Sequence, residues 1–346
     1  MSTAIDILTP FIPLIVGAIK AAIIAVLLLS SVPLLVWLER RLMGRFQVRL
    51  GPNRVGPFGL AQPLADAIKL LFKESIVQDS ADKFLFYLAP AIVVFCAIVT
   101  FSAIPFGEPF TIFGQEIGMW VSNINIGLLF VFAVSSMGIY GIVLAGFSSN
   151  NKYSLMGGLR SSAQMISYEL TLGLSALGVI ILAGSLNLKE IVDAQSHVPN
   201  ILTQPLAFIL FYIAGVAETN RAPFDLPEAE QELVAGFHTE YSGMKFAMFF
   251  MGEYINMITM SAMVTILFLG GWHPYIIPSF LVPPIIGPIV IFAAKVFVLL
   301  CVFIWLRSTY PRIRYDRLMT FGWKVMAPLA LLNLLATGAY KALHMG

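Results

Sequence analysis

The stretch PLIVGAIKAAIIAVLLLSSVPLLVWLERRLMGRFQVRLGPNRVGPFG, residues 13–59, decides the fold of this chain. Its first half, as far as Trp37, is apolar and long enough to cross a bilayer, which takes about 20 helical residues. Its second half consists mainly of charged residues, Gly, Pro, Gln and Asn. The junction predicts a retained membrane helix, because no basic leader or small-residue cleavage site accompanies it. That helix delivers a shaped, basic loop to the cytoplasmic side.

The composition extends this interpretation to all 346 residues. Hydrophobic residues make up 58% of the chain, charged residues only 12%, and the mean hydropathy is +0.86. Soluble domains carry about 25% charged residues. We therefore predict an all-α, polytopic membrane protein in which residues 1–346 form a single integral membrane domain. About eight transmembrane helices are expected, at 13–36, 84–104, 126–147, 162–184, 202–219, 242–270, 284–306 and 325–343.

The orientation follows from Lys and Arg. The first, third, fifth and seventh connections carry 17 of the 21 basic residues, whereas the alternate connections 104–126, 184–202 and 270–284 carry only Lys189. Because basic loops stay on the cytoplasmic or matrix side, both termini are expected in the opposite compartment, periplasmic or intermembrane.

The first connection is predicted to contain its own helix at 60–76. Gln62, Asp66, Lys69 and Lys73 recur at helical spacing, and apolar residues fill the complementary face. This pattern is typical of a helix lying along the membrane surface. A helix packed against a soluble partner shows the same pattern.

Carboxylates inside apolar runs give the stronger chemical signal. Glu169, Glu218 and Glu253 fall within or at the end of predicted spans. An ionisable side chain at bilayer depth costs about 2.5–3.5 kcal/mol on the insertion scale, so each is a functional candidate. The alternative is a protonated carboxyl retained for helix packing.

The fifth connection is strongly acidic. Its carboxylates face a single cation, Arg221; they are Glu218, Asp225, Glu228, Glu230, Glu232 and Glu240. The first connection is basic, so we expect the two loops to pack together with mutual charge compensation. A solvated acidic loop is the alternative, whereas proton-handling proteins use such carboxylates for transfer.

Cofactor chemistry is not predicted for this chain. Cys96 and Cys301 lie alone in apolar runs, whereas an iron–sulfur cluster needs four ligands. The four histidines lack ligand spacing, and no phosphate-binding glycine motif is present.

Three long motifs resemble one family. They are GRFQVRLGPNRVGPFGLAQPLADAIKLLFKE (44–74), SSNNKYSLMGGLRSSAQMISYE (148–169) and AETNRAPFDLPEAEQELVAGFHTEY (217–241). Together with the order of the spans, they are similar to one membrane-subunit family of respiratory complex I, the proton-pumping NADH:quinone oxidoreductase. Its members are designated H in bacteria and subunit 1 in mitochondria. Phe147 is a small departure, because many relatives have Trp there.

The resemblance implies a non-redox subunit of a translocase, with no activity expected in isolation. Such a subunit forms the quinone entry portal and tunnel, while partner subunits hold the iron–sulfur clusters and flavin. It implies quinone-cavity and interface roles for Glu39, Arg40, Asp66, Arg221, Asp225, Glu228, Glu230 and Glu232. It implies a proton relay through Glu169, Glu218, Glu240 and Glu253.

The implied setting is a bacterial inner membrane, or the mitochondrial inner membrane if the chain is organellar. Expected partners are quinone-module hydrophilic subunits, small membrane subunits, antiporter-like subunits, quinone and lipids, with no nucleic acid. Other interpretations remain open. They are the membrane subunit of an energy-converting hydrogenase or ferredoxin-linked complex, an autonomous ion transporter, and a structural membrane anchor.

Overall fold

A computed structural model describes residues 12–112, 115–225, 234–275, 283 and 286–345 of the chain. The helices are α1 Ile12–Phe46, α2 Gln62–Phe72, α3 Lys83–Phe101, α4 Gly127–Ser148, α5 Lys152–Ala183, α6 Leu188–Ala194, α7 Asn200–Thr203, α8 Pro205–Glu218, α9 Met244–Phe268, α10 Ile286–Thr309, α11 Tyr315–Phe321 and α12 Ala327–Met345. Single 3₁₀ turns form at Pro57–Gly59 and Gly236–His238, and a π-helical turn, Gly322–Met326, joins α11 to α12.

Seven helical segments in the described ranges are long and apolar enough to cross a membrane. They are Ile15–Phe46, Lys83–Phe101, Gly127–Ser148, Lys152–Ala183, Met244–Phe268, Ile286–Thr309 and Tyr315–Leu343. The remaining predicted span, 202–219, corresponds to α8, an apolar helix of 14 residues. The prediction of an all-α, polytopic membrane protein is confirmed, whereas the membrane depth of each helix stays a prediction.

Three helical segments extend about ten residues beyond the predicted bounds; one is the last segment, which begins at Tyr315 instead of 325. The first helix continues ten residues past position 36, because Leu, Met, Glu and Arg are good helix formers. Glu39 and Arg40 therefore lie on a helix and not in a loop. Helix α5 begins at Lys152 instead of 162, where the Asn151 side chain accepts a hydrogen bond from the backbone N–H of Tyr153 at 3.0 Å.

The interfacial helix is shorter than predicted. Helix α2 ends at Phe72, four residues before the expected position 76, and Lys73 already has extended backbone angles. Its apolar face is open, since Leu64, Ile68 and Leu71 are all exposed. A feature that the sequence pattern did not indicate is an antiparallel hairpin of two three-residue strands, β1 Phe110–Ile112 and β2 Gln115–Ile117.

Small residues allow the central helices to approach closely. A Cβ atom at Gly141 of α4 would lie 3.0 Å from the carbonyl oxygen of Ala89 on α3. A Cβ atom at Gly157 of α5 would lie 2.7 Å from the backbone nitrogen of Phe237. In a bilayer such close packing, and not the hydrophobic effect, holds helices together.

Helix α9 is the centre of the bundle. In its most apolar 18-residue window 72% of the residues are buried, against 17% for α1 at the periphery. Polar groups on α9 therefore depend on partners from neighbouring helices instead of water.

Candidate functional site

Arg221 connects two helices through their carboxylates. It lies three residues after the end of α8 and is only 5% exposed. One terminal nitrogen lies 3.7 Å from Oε1 of Glu39 on α1, and the other lies 3.5 Å from Oε2 of Glu253 on α9. The guanidinium carbon also lies 4.3 Å from the ring centroid of Tyr254. Burial opposes its charge, but Glu253, Tyr254 and Glu39 outweigh that effect and raise the pKa of Arg221, which keeps it charged.

Glu39 is a buried carboxylate with several partners. It is 2% exposed, and the hydroxyl of Tyr254 donates to its Oε2 at 2.5 Å. Arg307 from α10 donates to its Oε1. Because a buried charge is tolerated only when it is paired and hydrogen-bonded, this cluster fixes α1, α9 and α10 relative to one another.

An apolar cavity of about 470 Å³ opens beside this cluster, between α1, α2, α9 and α10. Its charged end carries Glu39, Arg40, Asp66 and Arg307. The remaining wall is largely aliphatic and aromatic; it includes Leu29, Val32, Val36, Ala67, Leu70, Leu71, Phe246, Ala247, Phe250 and Met251. This cavity suits a long apolar molecule with a polar end.

Arg40 and Asp66 form an ion pair at the rim of the apolar cavity. Nη1 of Arg40 lies 2.6 Å from Oδ2 of Asp66, and Gln62 donates to Oδ1 at 3.1 Å. The side chains are 45% and 33% exposed, so this pair orients α2 more than it stabilises the fold.

A second, smaller space lies on the other side of α9; we call it the carboxylate cavity. Its polar wall is formed by Glu218, Glu253, Asn256 and His238. Its volume of about 40 Å³ is enough for a few water molecules. Adjacent residues of α9 therefore serve the two cavities, with Glu253 in this one and Tyr254 in the apolar cavity.

Two serines of α4 extend the acidic series beyond the carboxylate cavity. Ser135 and Glu218 line one small cavity, and Oε2 of Glu218 is buried. Ser136 donates to Oε1 of Glu169 on α5. The charges of Glu218 and Glu169 are close enough to interact. Glu253, Glu218 and Glu169 consequently form a series across the bundle, from Arg221 to the α4–α5 edge.

The other predicted site residues lie elsewhere or outside the described residues. Asp225 is 7% exposed and pairs with Arg312 at 3.1 Å. Glu240 accepts a hydrogen bond from Nδ2 of Asn151 at 2.7 Å, close to the start of α5, and lines neither cavity. Three further predicted residues fall outside the described ranges; they are Glu228, Glu230 and Glu232.

Among the described residues, the charges of the first and fifth connections are compensated in another way than predicted; for Glu228, Glu230 and Glu232, which lie outside those residues, the compensation stays a prediction. The cation on Asp225 comes from Arg312 in the seventh connection. The basic residue Arg40 is matched by Asp66 of its own connection. Where α1 does meet the fifth connection, the signs are reversed, since Glu39 supplies the acid and Arg221 the base.

Sequence reasoning missed several members of the site. Arg307 was counted only among the basic residues that predict the orientation. Tyr254 is one of many aromatic residues, and nothing in the sequence distinguishes it. Ser135 and Ser136 look like ordinary small residues of a membrane helix. Asn256 had a readable signal, because it lies one helical turn from Glu253 and therefore on the same face of α9. Within the described ranges, no group of three or more His, Cys, Asp or Glu side chains comes together to hold a metal ion.

The fold and this site define a polytopic membrane protein that holds paired ionic groups between two internal cavities. Residues 19–338 match the family model described as NADH dehydrogenase. The chain is 54% identical over 319 residues to the NADH-quinone oxidoreductase subunit designated H 1 in Geobacter metallireducens, covering 92% of this chain and 94% of the relative. It is 51% identical over 321 residues to the NADH-quinone oxidoreductase subunit designated H 2 in Syntrophobacter fumaroxidans, covering 93% and 94%. The chain belongs to this NADH dehydrogenase family, which confirms the family predicted from its motifs.

Proposed function

We propose that this chain is the membrane subunit of a proton-translocating NADH:quinone oxidoreductase that admits quinone and couples its reduction to proton movement. The names of the relatives support the enzyme class. The observation that carries the coupling is Arg221, because one guanidinium contacts Glu39 at the apolar cavity and Glu253 in the carboxylate cavity.

The apolar cavity has the chemistry that a quinone requires. A quinone combines a long apolar tail with a ring that accepts hydrogen bonds, so it enters from lipid instead of water. The exposed apolar face of α2 and the aliphatic wall of α1 provide that route. The tail lies along residues such as Val32 and Leu71, and the ring moves toward the charged end at Glu39 and Arg40.

Reduction of the quinone then acts on the Arg221 cluster through charge. Two-electron reduction places negative charge on the ring, and protons or cations must compensate it. Arg221 and Arg307 respond first, because both contact Glu39 at the end of the cavity. Any shift of Arg221 toward that charge weakens its hold on Glu253, and a carboxylate that loses a cation gains affinity for a proton.

Glu253 passes this change to Glu218 and Glu169. Waters in the carboxylate cavity and the hydroxyls of Ser135 and Ser136 provide hydrogen-bonded steps between the carboxylates. Glu169 is only partly buried, and Met137 and Tyr140, which follow its partner Ser136 on α4 by one and four residues, are exposed. The series therefore delivers its charge laterally, to an adjacent membrane subunit.

The setting follows from the same reasoning. The basic connections face the cytoplasm or matrix and dock the hydrophilic subunits that hold flavin and iron–sulfur clusters. In this proposal the electron carriers belong to those subunits, and we expect no quinone reductase activity from this chain alone. On the side of the membrane away from the basic connections, Lys295 donates to the carbonyls of Leu269, Gly271 and His273 at 2.8–2.9 Å, just after the end of α9. This lysine therefore holds the chain together and does not form part of a docking surface.

The test separates quinone reduction from proton movement. We expect Glu253→Gln to retain assembly and NADH oxidation with a water-soluble acceptor but to lose most proton translocation per quinone reduced. Glu190→Gln, an exposed residue of α6, is the matched control. Full translocation in the Glu253 variant would refute the relay. Affinity purification from native membranes tests the enzyme class. If the subunits that co-purify belong to a hydrogenase or a ferredoxin-linked complex, NADH is not the electron donor.

A further inference from the structure

We infer that His238 is the proton-transfer residue through which protons enter the carboxylate cavity from the side of the basic loops. The inference rests on the proposed relay and adds the step by which protons reach it. The sequence motifs gave His238 no role, because it lies in a loop without a metal-ligand pattern.

The position of His238 is fixed by close packing. It ends the 3₁₀ turn Gly236–His238, which leads into α9 on the side of the fifth connection. Helix α5 presses against this turn at Gly157, where a Cβ atom would lie 2.7 Å from the backbone nitrogen of Phe237. Any larger residue at position 157 would displace the turn, so the sequence keeps the histidine in one place.

The imidazole faces the carboxylate cavity from an aromatic enclosure. It is 7% exposed, and its ring centroid lies 4.7 Å from that of Phe237, 5.3 Å from that of Phe246 and 6.3 Å from that of Phe250. The same cavity wall contains Glu218 and Glu253. A titratable ring is thus placed between the loop side of the protein and the two carboxylates.

The other titratable groups near the carboxylate cavity are either the carboxylates that receive the proton or groups held by other contacts. Among the described lining residues, α8 contributes Glu218 and α9 contributes Glu253, whereas α3, α4 and α5 contribute apolar side chains, namely Val93, Ile142 and Met165. On the same segment, Glu240 accepts from Asn151, and Tyr241 contacts Ser148. Lys245, the second residue of α9, lies against the rings of Phe86 and Tyr87.

Imidazole chemistry fits a supply step. An imidazole can accept a proton on one ring nitrogen and donate one from the other, which suits it to carry protons between two groups. A proton from the loop side bonds to one ring nitrogen, and the other nitrogen releases its proton through cavity water to Glu253 or Glu218, which becomes a neutral carboxylic acid. Rotation of the ring restores the first tautomer, so one proton moves inward per cycle.

The test uses the assembled complex in sealed vesicles. We expect His238→Gln to slow coupled proton translocation roughly tenfold or more at pH 8, because a positioned acid–base group is lost. The deficit is expected to shrink toward pH 6, where hydronium supply replaces the imidazole. His197→Gln, an exposed histidine on the opposite side of the chain, is the control. Assembly is followed by NADH oxidation with a water-soluble acceptor, which does not involve this cavity.

The outcomes separate the inference from the proposed function. A deficit that grows with pH in His238→Gln, and is absent in His197→Gln, supports proton entry at His238. A uniform deficit at every pH would reduce His238 to a packing role and overturn the inference. If His238→Gln matches the wild type while Glu253→Gln is uncoupled, the inference alone fails. If Glu253→Gln is fully coupled, the proposed relay fails.

Discussion

Replacement of Arg221 by Met tests whether one guanidinium joins the two cavities. Met keeps an unbranched apolar stem, but it is shorter than Arg and lacks the charge that lies 3.7 Å from Glu39 and 3.5 Å from Glu253. At an effective dielectric constant of about 20, each of these attractions is worth roughly 4–5 kcal/mol before desolvation is subtracted.

The net cost is smaller and can be bounded. Removing one partner of a buried ion pair costs about 3–5 kcal/mol, mainly because the remaining charge stays buried. Glu39 keeps Arg307 and Tyr254, so we expect the lower end of that range. A loss of about 3 kcal/mol changes an equilibrium constant roughly a hundredfold. The affected equilibrium is the one between the native arrangement of Glu39 and Glu253 and arrangements in which they have moved.

The assay is the ratio of two rates in membranes, NADH oxidation with a short-chain quinone and NADH oxidation with a water-soluble acceptor. We expect this ratio to fall at least tenfold in Arg221→Met. Arg221→Lys should be intermediate, because a point charge cannot hold two carboxylates as a planar guanidinium does. The control is Arg314→Met, since Arg314 pairs with Asp316 on the surface, where both side chains are largely exposed.

Equal ratios in Arg221→Met and Arg314→Met would refute the reasoning, provided that both complexes assemble. A double-mutant cycle sharpens the result. If Arg221 and Glu39 act together, the effects of Arg221→Met and Glu39→Gln are non-additive, as expected for residues in one network. Strict additivity would mean that their proximity carries no functional coupling.

Three further changes probe other parts of the structure. Ser136→Ala removes a hydrogen bond to the Glu169 carboxylate, worth about 1.5–3 kcal/mol if the group is charged, and should slow coupled translocation about tenfold with assembly unchanged, measured in sealed vesicles. Lys295→Met removes three hydrogen bonds to carbonyls at the end of α9 and should destabilise the protein by at least about 3 kcal/mol, seen as faster thermal inactivation, with the initial quinone-reduction rate retained at low temperature. Asp66→Asn breaks the half-exposed pair with Arg40 and should change stability by less than about 1 kcal/mol, so an unchanged inactivation rate is expected; a large loss would show that the rim of the cavity is structural.

The sequence by itself determined the class of protein and most of its helices. Long apolar runs can only be membrane helices, because lipid offers no partner for an exposed backbone N–H or C=O group. The cost of placing an ionisable side chain in lipid identified Glu169, Glu218 and Glu253 as candidates. The motifs placed the chain in its family. Helix ends were less certain, since α1 and α5 continue through polar residues that form helix readily.

Only the tertiary structure decided which charges meet. Arg221 is 182 residues from Glu39 and 32 from Glu253 along the chain, and helical periodicity carries no information on contacts between helices at that separation. Net charge predicted that basic residues of the first connection would match acids of the fifth. Among the described residues, packing instead paired Asp225 with Arg312 and placed the acid Glu39 of the first connection beside the base Arg221 of the fifth. The division of α9 into a side facing the apolar cavity and a side facing the carboxylate cavity also depends on its neighbours, because a cavity is formed by the helices around it.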